Sequence, residues 1–111
     1  MAFEIILAPQ AVASLKKLSV PVQTGVQRAI ELHLTREPTK LSESRIKRLR
    51  GLSQPQYRLR VGDIRVFYDV TETQVQVLAI VTKADAQAWL DKQGTSTADE
   101  AQNSAPGGDE G

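Results

Sequence analysis

Residues 57–70 read YRLRVGDIRVFYDV, and this stretch leaves the chain few ways to fold. Two runs rich in β-branched and aromatic residues flank Gly62-Asp63, a dipeptide suited to a two-residue hairpin loop. Such a loop pairs Val61 with Ile64, Arg60 with Arg65, Leu59 with Val66 and Tyr57 with Tyr68. Side chains alternate across a strand. Tyr57, Leu59, Val61, Ile64, Val66 and Tyr68 therefore share the core face, and Arg58, Arg60 and Arg65 share the other. Like charges set opposite one another across strands are destabilising. The arginine face needs compensation, either from a carboxylate such as Asp63 or Asp69 or from a bound phosphate that matches the guanidinium fork. One outward arginine is usually just solvated. Three on one face beside a basic segment make an anion site a real alternative.

The rest of the chain organises around this hairpin. Residues 3–7, FEIIL, are apolar and bounded by Ala8-Pro9, which predicts a short strand. Pro9 suits the first turn of a helix whose stripe is Val12, Leu15 and Leu18. Ser19 is placed to cap a second helix with Pro21 in its first turn. Val22, Val26, Ala29, Ile30 and His33 follow helical spacing there, and Pro38 ends it. Residues 39–55 are polar and basic, broken by Gly51 and Pro55, and read as a long loop with room for a helical turn. After a turn at Thr71-Glu72-Thr73, the run VQVLAIV predicts a third strand of the meander. It is apolar on both faces over Leu78–Val81, as in a central strand covered on both sides. Thr82 and Asp85 resemble a capping box opening a short helix that ends near Gly94. The predicted order is βααβββα. This is an α+β domain over residues 1–94, an antiparallel sheet with two N-terminal helices packed on one face. Residues 95–111 hold no large apolar side chain and read as a disordered acidic tail.

Charge is segregated along the 111 residues. Residues 1–94 hold 14 basic and nine acidic side chains, a net +5, whereas the tail carries four acids and no base. Arg45, Lys47, Arg48, Arg50, Arg58, Arg60 and Arg65 face only Asp63 within residues 45–65. That density favours a polyanion or an acidic protein as partner. The chain has no cysteine, which excludes disulfides and thiolate zinc sites, and a single histidine, His33, which argues against a His-rich metal centre. No apolar run is long enough to span a bilayer. The first ten residues lack the basic start of a signal peptide. A cytoplasmic protein without metal or small-molecule cofactor is expected.

Leu49-Arg50-Gly51, the hairpin Tyr57–Tyr68 and VQVLAIVTKAD together resemble the RelE/ParE toxin superfamily of type II toxin–antitoxin systems. The resemblance covers residues 1–92. It implies a microbial RNase-like α+β fold, a cognate antitoxin as partner and, in RelE-like members, cleavage of mRNA in the ribosomal A site. In that reaction the 2′-hydroxyl attacks the adjacent phosphate, leaving a 2′,3′-cyclic phosphate and a 5′-hydroxyl. Arg58, Arg60 and Arg65 fall where such members place phosphate-binding and charge-stabilising residues, and Lys83 is placed to assist. Arg45, Lys47, Arg48 and Arg50 would extend the RNA-binding footprint. RelE-like nucleases usually carry a tyrosine near the last strand and its following helix, whereas this chain has Lys83-Ala84-Asp85 and Gln87-Ala88-Trp89-Leu90. The alternative is a non-nucleolytic ParE-like toxin acting on DNA gyrase, or a catalytically impaired member. Trp89, with Ala86 and Leu90, reads as core packing, and His33 as a helix-edge residue.

Overall fold

The structure, a computed structural model, describes residues 2–96. The hairpin is its centre. β4 (Tyr57–Val61) and β5 (Ile64–Val70) pair in the register that a two-residue loop imposes, with Val61 opposite Ile64 and Arg60 opposite Arg65. Gly62 opens the loop at φ +58°, a left-handed conformation that favours glycine. β6 (Gln74–Thr82) lies antiparallel on the far side of β5. β1 (Glu4–Leu7) and β2 (Ile46–Arg48) complete a five-stranded sheet of order β1-β6-β5-β4-β2.

The sheet and the segment 39–55 depart from the sequence-based expectation. The sheet is not wholly antiparallel, because β1 runs parallel to β6. A four-residue apolar run carries no information about its direction. The expected loop over 39–55 holds two three-residue strands, β2 and β3 (Leu52–Gln54). β2 adds to β4 with Ile46 opposite Leu59, Lys47 opposite Arg58 and Arg48 opposite Tyr57. Ser42 Oγ accepts from the Arg45 and Ile46 amides just before it. Strand pairing at the edge of β4, rather than any apolar alternation in the segment, decides this conformation.

Helices α1 (Pro9–Lys16) and α2 (Val20–Leu34) lie on one sheet face, as the stripes require. Ala11, Leu15, Val26, Ile30 and Leu34 pack there with Ile46, Leu59, Ile64, Val66, Tyr68, Val75, Val77 and Ile80. The buried stripe of α2 is rotated from the predicted one: Leu34 is buried, while Val22 is 42% exposed. Ser19 precedes α2, but its side chain makes no capping bond. Tyr68 closes the core by donating its hydroxyl to Pro38 O at 2.6 Å. Burial, and then the neighbouring Tyr57, push its phenol above the ordinary range.

β6 carries an irregularity that matters for the other face. Phe67 pairs with Ala79 and Tyr68 with Val77, which leaves Leu78 as an extra residue. Beyond this bulge the alternation resets. Ile80 still points to the helices, while Ala79 joins Phe67 on the arginine face. α3 (Lys83–Gln93) covers part of that face by stacking Trp89 on Phe67, with ring centroids 5.2 Å apart and 12° between planes. Trp89, expected in the core, is instead only partly buried and packs on the second face of the sheet. β7 (Thr95–Ser96) pairs with β3, so the described chain continues two residues beyond the expected domain boundary. The remainder of the acidic segment lies outside the described residues.

Candidate functional site

The site is built where the hairpin turn meets α3. Thr82 Oγ1 accepts from the Asp85 amide at 3.3 Å and starts the helix. The Lys83 amide donates to Asp63 O at 2.8 Å, which ties the first residue of α3 to the β4–β5 turn. A cavity of about 300 Å³ remains between them. Arg58, Arg65 and Lys83 supply its charge, and Leu49, Phe67, Ala86 and Leu90 its apolar wall, with Gln87 at the edge.

The three hairpin arginines are not equivalent. Arg65 is 7% exposed, and its Nη1 donates to Gly62 O at 2.9 Å and Ile64 O at 3.1 Å. The turn therefore holds this guanidinium in place through backbone carbonyls. Arg58 is half-buried, and its Nε has no hydrogen-bond partner among the described residues. Its pKa is lowered first by desolvation, then by the charges of Arg65 and Arg60. The guanidinium nonetheless stays protonated at neutral pH. Arg60 is exposed and lies outside the cavity lining.

Among the described residues no acid compensates this cluster. Asp69, one expected partner, instead accepts from Gln54 Nε2 and from the Gln56 amide, each at 2.7 Å. Among the described residues no carboxylate comes within 4.0 Å of Arg58, Arg60, Arg65 or Lys83. Such a cavity presents cationic donors, Arg65 among them fixed by hydrogen bonds, to an anion without competition from a carboxylate among the described residues. Among the described residues its lining holds no histidine, tyrosine or carboxylate side chain to accept a proton at neutral pH.

The basic segment does not converge on one place. Lys47 lies opposite Arg58 and extends the cationic face to the edge of the sheet. Arg48 turns to the other side, with its guanidinium 5.3 Å from the centre of the Tyr57 ring and Nη1 donating to Gln56 O at 2.7 Å. Arg50 lines a separate depression with Lys47 and Arg48. Arg45 lies beside His33, Glu37 and Lys40 at a small cavity of about 120 Å³. His33 has its pKa lowered by desolvation and then by Arg45. Among the described residues there is no group of three or more His, Cys, Asp or Glu that could hold a metal, and no helix is long and apolar enough to cross a membrane.

Sequence reasoning overlooked the apolar half of the cavity. Phe67 was legible, since the alternation that puts Val66 and Tyr68 in the core puts Phe67 with the arginines. Ala86, Gln87 and Leu90 reach the site only through the docking of α3, for which the sequence carries no local signal, and Leu49 reaches it from the segment that follows β2.

Residues 5–87 match the family model for the ParE toxin of type II toxin–antitoxin systems. No curated protein matches the chain at a significant level. Among solved structures, the chain is similar to the RelBE2 toxin–antitoxin complex from Mycobacterium tuberculosis, with 23% identity and a TM-score of 0.61 over 74% of this chain and 99% of that one. It is similar to the archaeal RelE–RelB complex from Pyrococcus horikoshii, with 23% identity and a TM-score of 0.62 over 75% and 97%. A double-mutant form of the E. coli toxin RelE in the free state matches at 18% identity and a TM-score of 0.60 over 80% and 92%. These likenesses establish a shared fold. With the family model spanning the sheet and the first turn of α3, the chain belongs to the ParE toxin family of type II toxin–antitoxin systems, within the RelE/ParE superfamily.

Proposed function

We propose that this toxin is an endoribonuclease that cleaves mRNA on the ribosome, in the cytoplasm, and is neutralised by a cognate antitoxin. The observation behind this reading is the convergence of Arg58, Arg65 and Lys83 on one cavity with no carboxylate beside them among the described residues. Attack of a 2′-hydroxyl on the adjacent phosphorus builds negative charge on the phosphoryl oxygens. Donors already fixed toward that position stabilise it without reorganising. Arg65 is fixed by the turn carbonyls, Arg58 brings its guanidinium to the cavity lining, and Lys83 brings an ammonium to the 5′-oxygen that leaves. Arg60 and Lys47 hold the flanking phosphates. The described lining supplies no base, so the 2′-hydroxyl proton passes to water or to ribosomal RNA. Two of the similar structures are toxin–antitoxin complexes, which supports an antitoxin partner here.

The absence of a proton-accepting side chain from the cavity lining favours a second reading, a ParE-like toxin that inhibits DNA gyrase without cutting RNA. One paired assay separates the two. Purified toxin is added to ribosomes translating a defined mRNA and, in parallel, to gyrase supercoiling a plasmid. The nuclease reading expects cut mRNA and unaffected supercoiling, and the reverse pattern would overturn it.

A further inference from the structure

α2 carries a second apolar stripe besides the one it buries against the sheet. Val22, Gly25, Ala29 and Leu32 follow one another at steps of three, four and three, so they share one side of the helix. Val22 is 42% exposed and Leu32 74%. Gly25 between them is exposed and Ala29 half-buried. The two ends of the stripe differ in shape. At the N-terminal end lies a trough of about 380 Å³, whose lining includes Leu18, Val22, Gly25, Val26, Val61 and Ile64. Gly25 keeps the trough open, because among the described residues no atom lies within 4 Å of a Cβ built there. Glycine inside a helix is destabilising relative to alanine, and here it leaves a hole in an apolar surface. At the C-terminal end Leu32 stands out as a knob, about 10–15 Å away along the helix axis.

A knob and a hole on one side of the same helix are self-complementary under a two-fold axis placed between them. An axis near Gln27 runs two copies of α2 antiparallel. It sets Val22 against Leu32 of the second copy, and Gly25 against Ala29 of the second copy. The small residues in the middle let the two backbones approach, and each Leu32 reaches the other copy's trough.

We propose that α2 pairs with α2 of a second copy of this chain along Val22, Gly25, Ala29 and Leu32, with each Leu32 filling the other copy's trough. The seam is short, below the roughly 1,200 Å² of standard specific interfaces, so the dimer is weak, with a Kd of about 10–100 μM. Arg28 flanks the seam near the axis and faces its own mate there. Salt screens that repulsion, so association tightens as salt rises. The cationic cavity lies on the other face of the sheet, so this pairing does not depend on whether the toxin cuts RNA.

Sedimentation equilibrium of the full chain from roughly 5 to 500 μM brackets the expected Kd and tests the proposal. The mean mass should rise from 12.2 kDa toward twice that value. The rise should be larger at about 0.5 M salt than at about 0.05 M. Leu32→Glu would bury a charge in the trough and should weaken association at least about tenfold. Leu32 is exposed in the monomer, so this variant keeps its fold. Val20→Glu is the control. Val20 is 75% exposed but lies about 160° round the helix from Val22, so its replacement should leave the dimer unchanged. Undiminished association of Leu32→Glu, or equal loss in the two variants, overturns the proposal. Association that weakens with salt would assign the contact to charge and overturns it as well. A chain that stays at 12.2 kDa over the whole range also overturns it, and leaves the stripe to another helix, such as one of an antitoxin.

Discussion

Arg60 and Arg65 stand directly opposite one another across the β4–β5 ladder, yet only Arg65 is buried. Its guanidinium is held by the carbonyls of Gly62 and Ile64, while Arg60 extends into solvent. The register thus turns a repulsive pair into one fixed donor and one free one. Arg65→Ala leaves two turn carbonyls without their donor and should cost about 1–3 kcal/mol. Arg60→Ala removes only an exposed charge and should stay within about 0.5 kcal/mol of wild type. Urea unfolding of the two variants measures the contrast. Equal costs would mean that the turn does not hold Arg65.

Tyr68 gives a pH-dependent prediction. Its hydroxyl is buried on Pro38 O, and its pKa is raised above the ordinary value of 10.0. The folded state keeps the phenol protonated where the unfolded chain begins to lose its proton. This contribution is complete below pH 10.0 and is lost as pH rises toward the folded pKa. Tyr68→Phe should lose about 1–3 kcal/mol at pH 7 by orphaning the Pro38 carbonyl. It should also lose stability less steeply than wild type above pH 10.0. Denaturation midpoints across neutral and alkaline pH test both parts.

Trp89 holds the second face of the sheet. None of the residues of α3 is fully buried, so stacking on Phe67 is the principal apolar anchor of this helix. Trp89→Ala should cost about 2 kcal/mol, less than a fully buried aromatic because the ring is only half covered. Hydrogen exchange should accelerate across α3 while the β4–β5 amides keep their protection. Uniform loss of protection would place Trp89 in the global core instead.

What the sequence made legible follows from the range of each interaction. The two-residue turn sets the hairpin register locally, so Tyr57 opposite Tyr68 and Arg60 opposite Arg65 could be named before any coordinates. The helix stripes placed Leu15, Val26 and Ile30 in the core for the same reason. β2 was hidden, because only Ile46 of its three residues is buried and its conformation comes from the edge of β4. The division of the basic segment was hidden with it. Once Lys47 faces the arginine side, alternation sends Arg48 to Tyr57. The bulge at Leu78 left no mark in a run that is apolar on both faces.

The central claim is that Arg58, Arg65 and Lys83 form the place where RNA phosphate is engaged. The most direct measurement is the rate at which ribosome-bound mRNA is cut by wild type, Arg58→Ala and Lys83→Ala, with folding verified for each. Wild type should give fragments ending in a 2′,3′-cyclic phosphate. Arg58→Ala should cut about a hundredfold more slowly, as expected for loss of one donor to a developing oxyanion. Cleavage by Arg58→Ala at the wild-type rate, or intact mRNA with the wild-type toxin, would contradict the account.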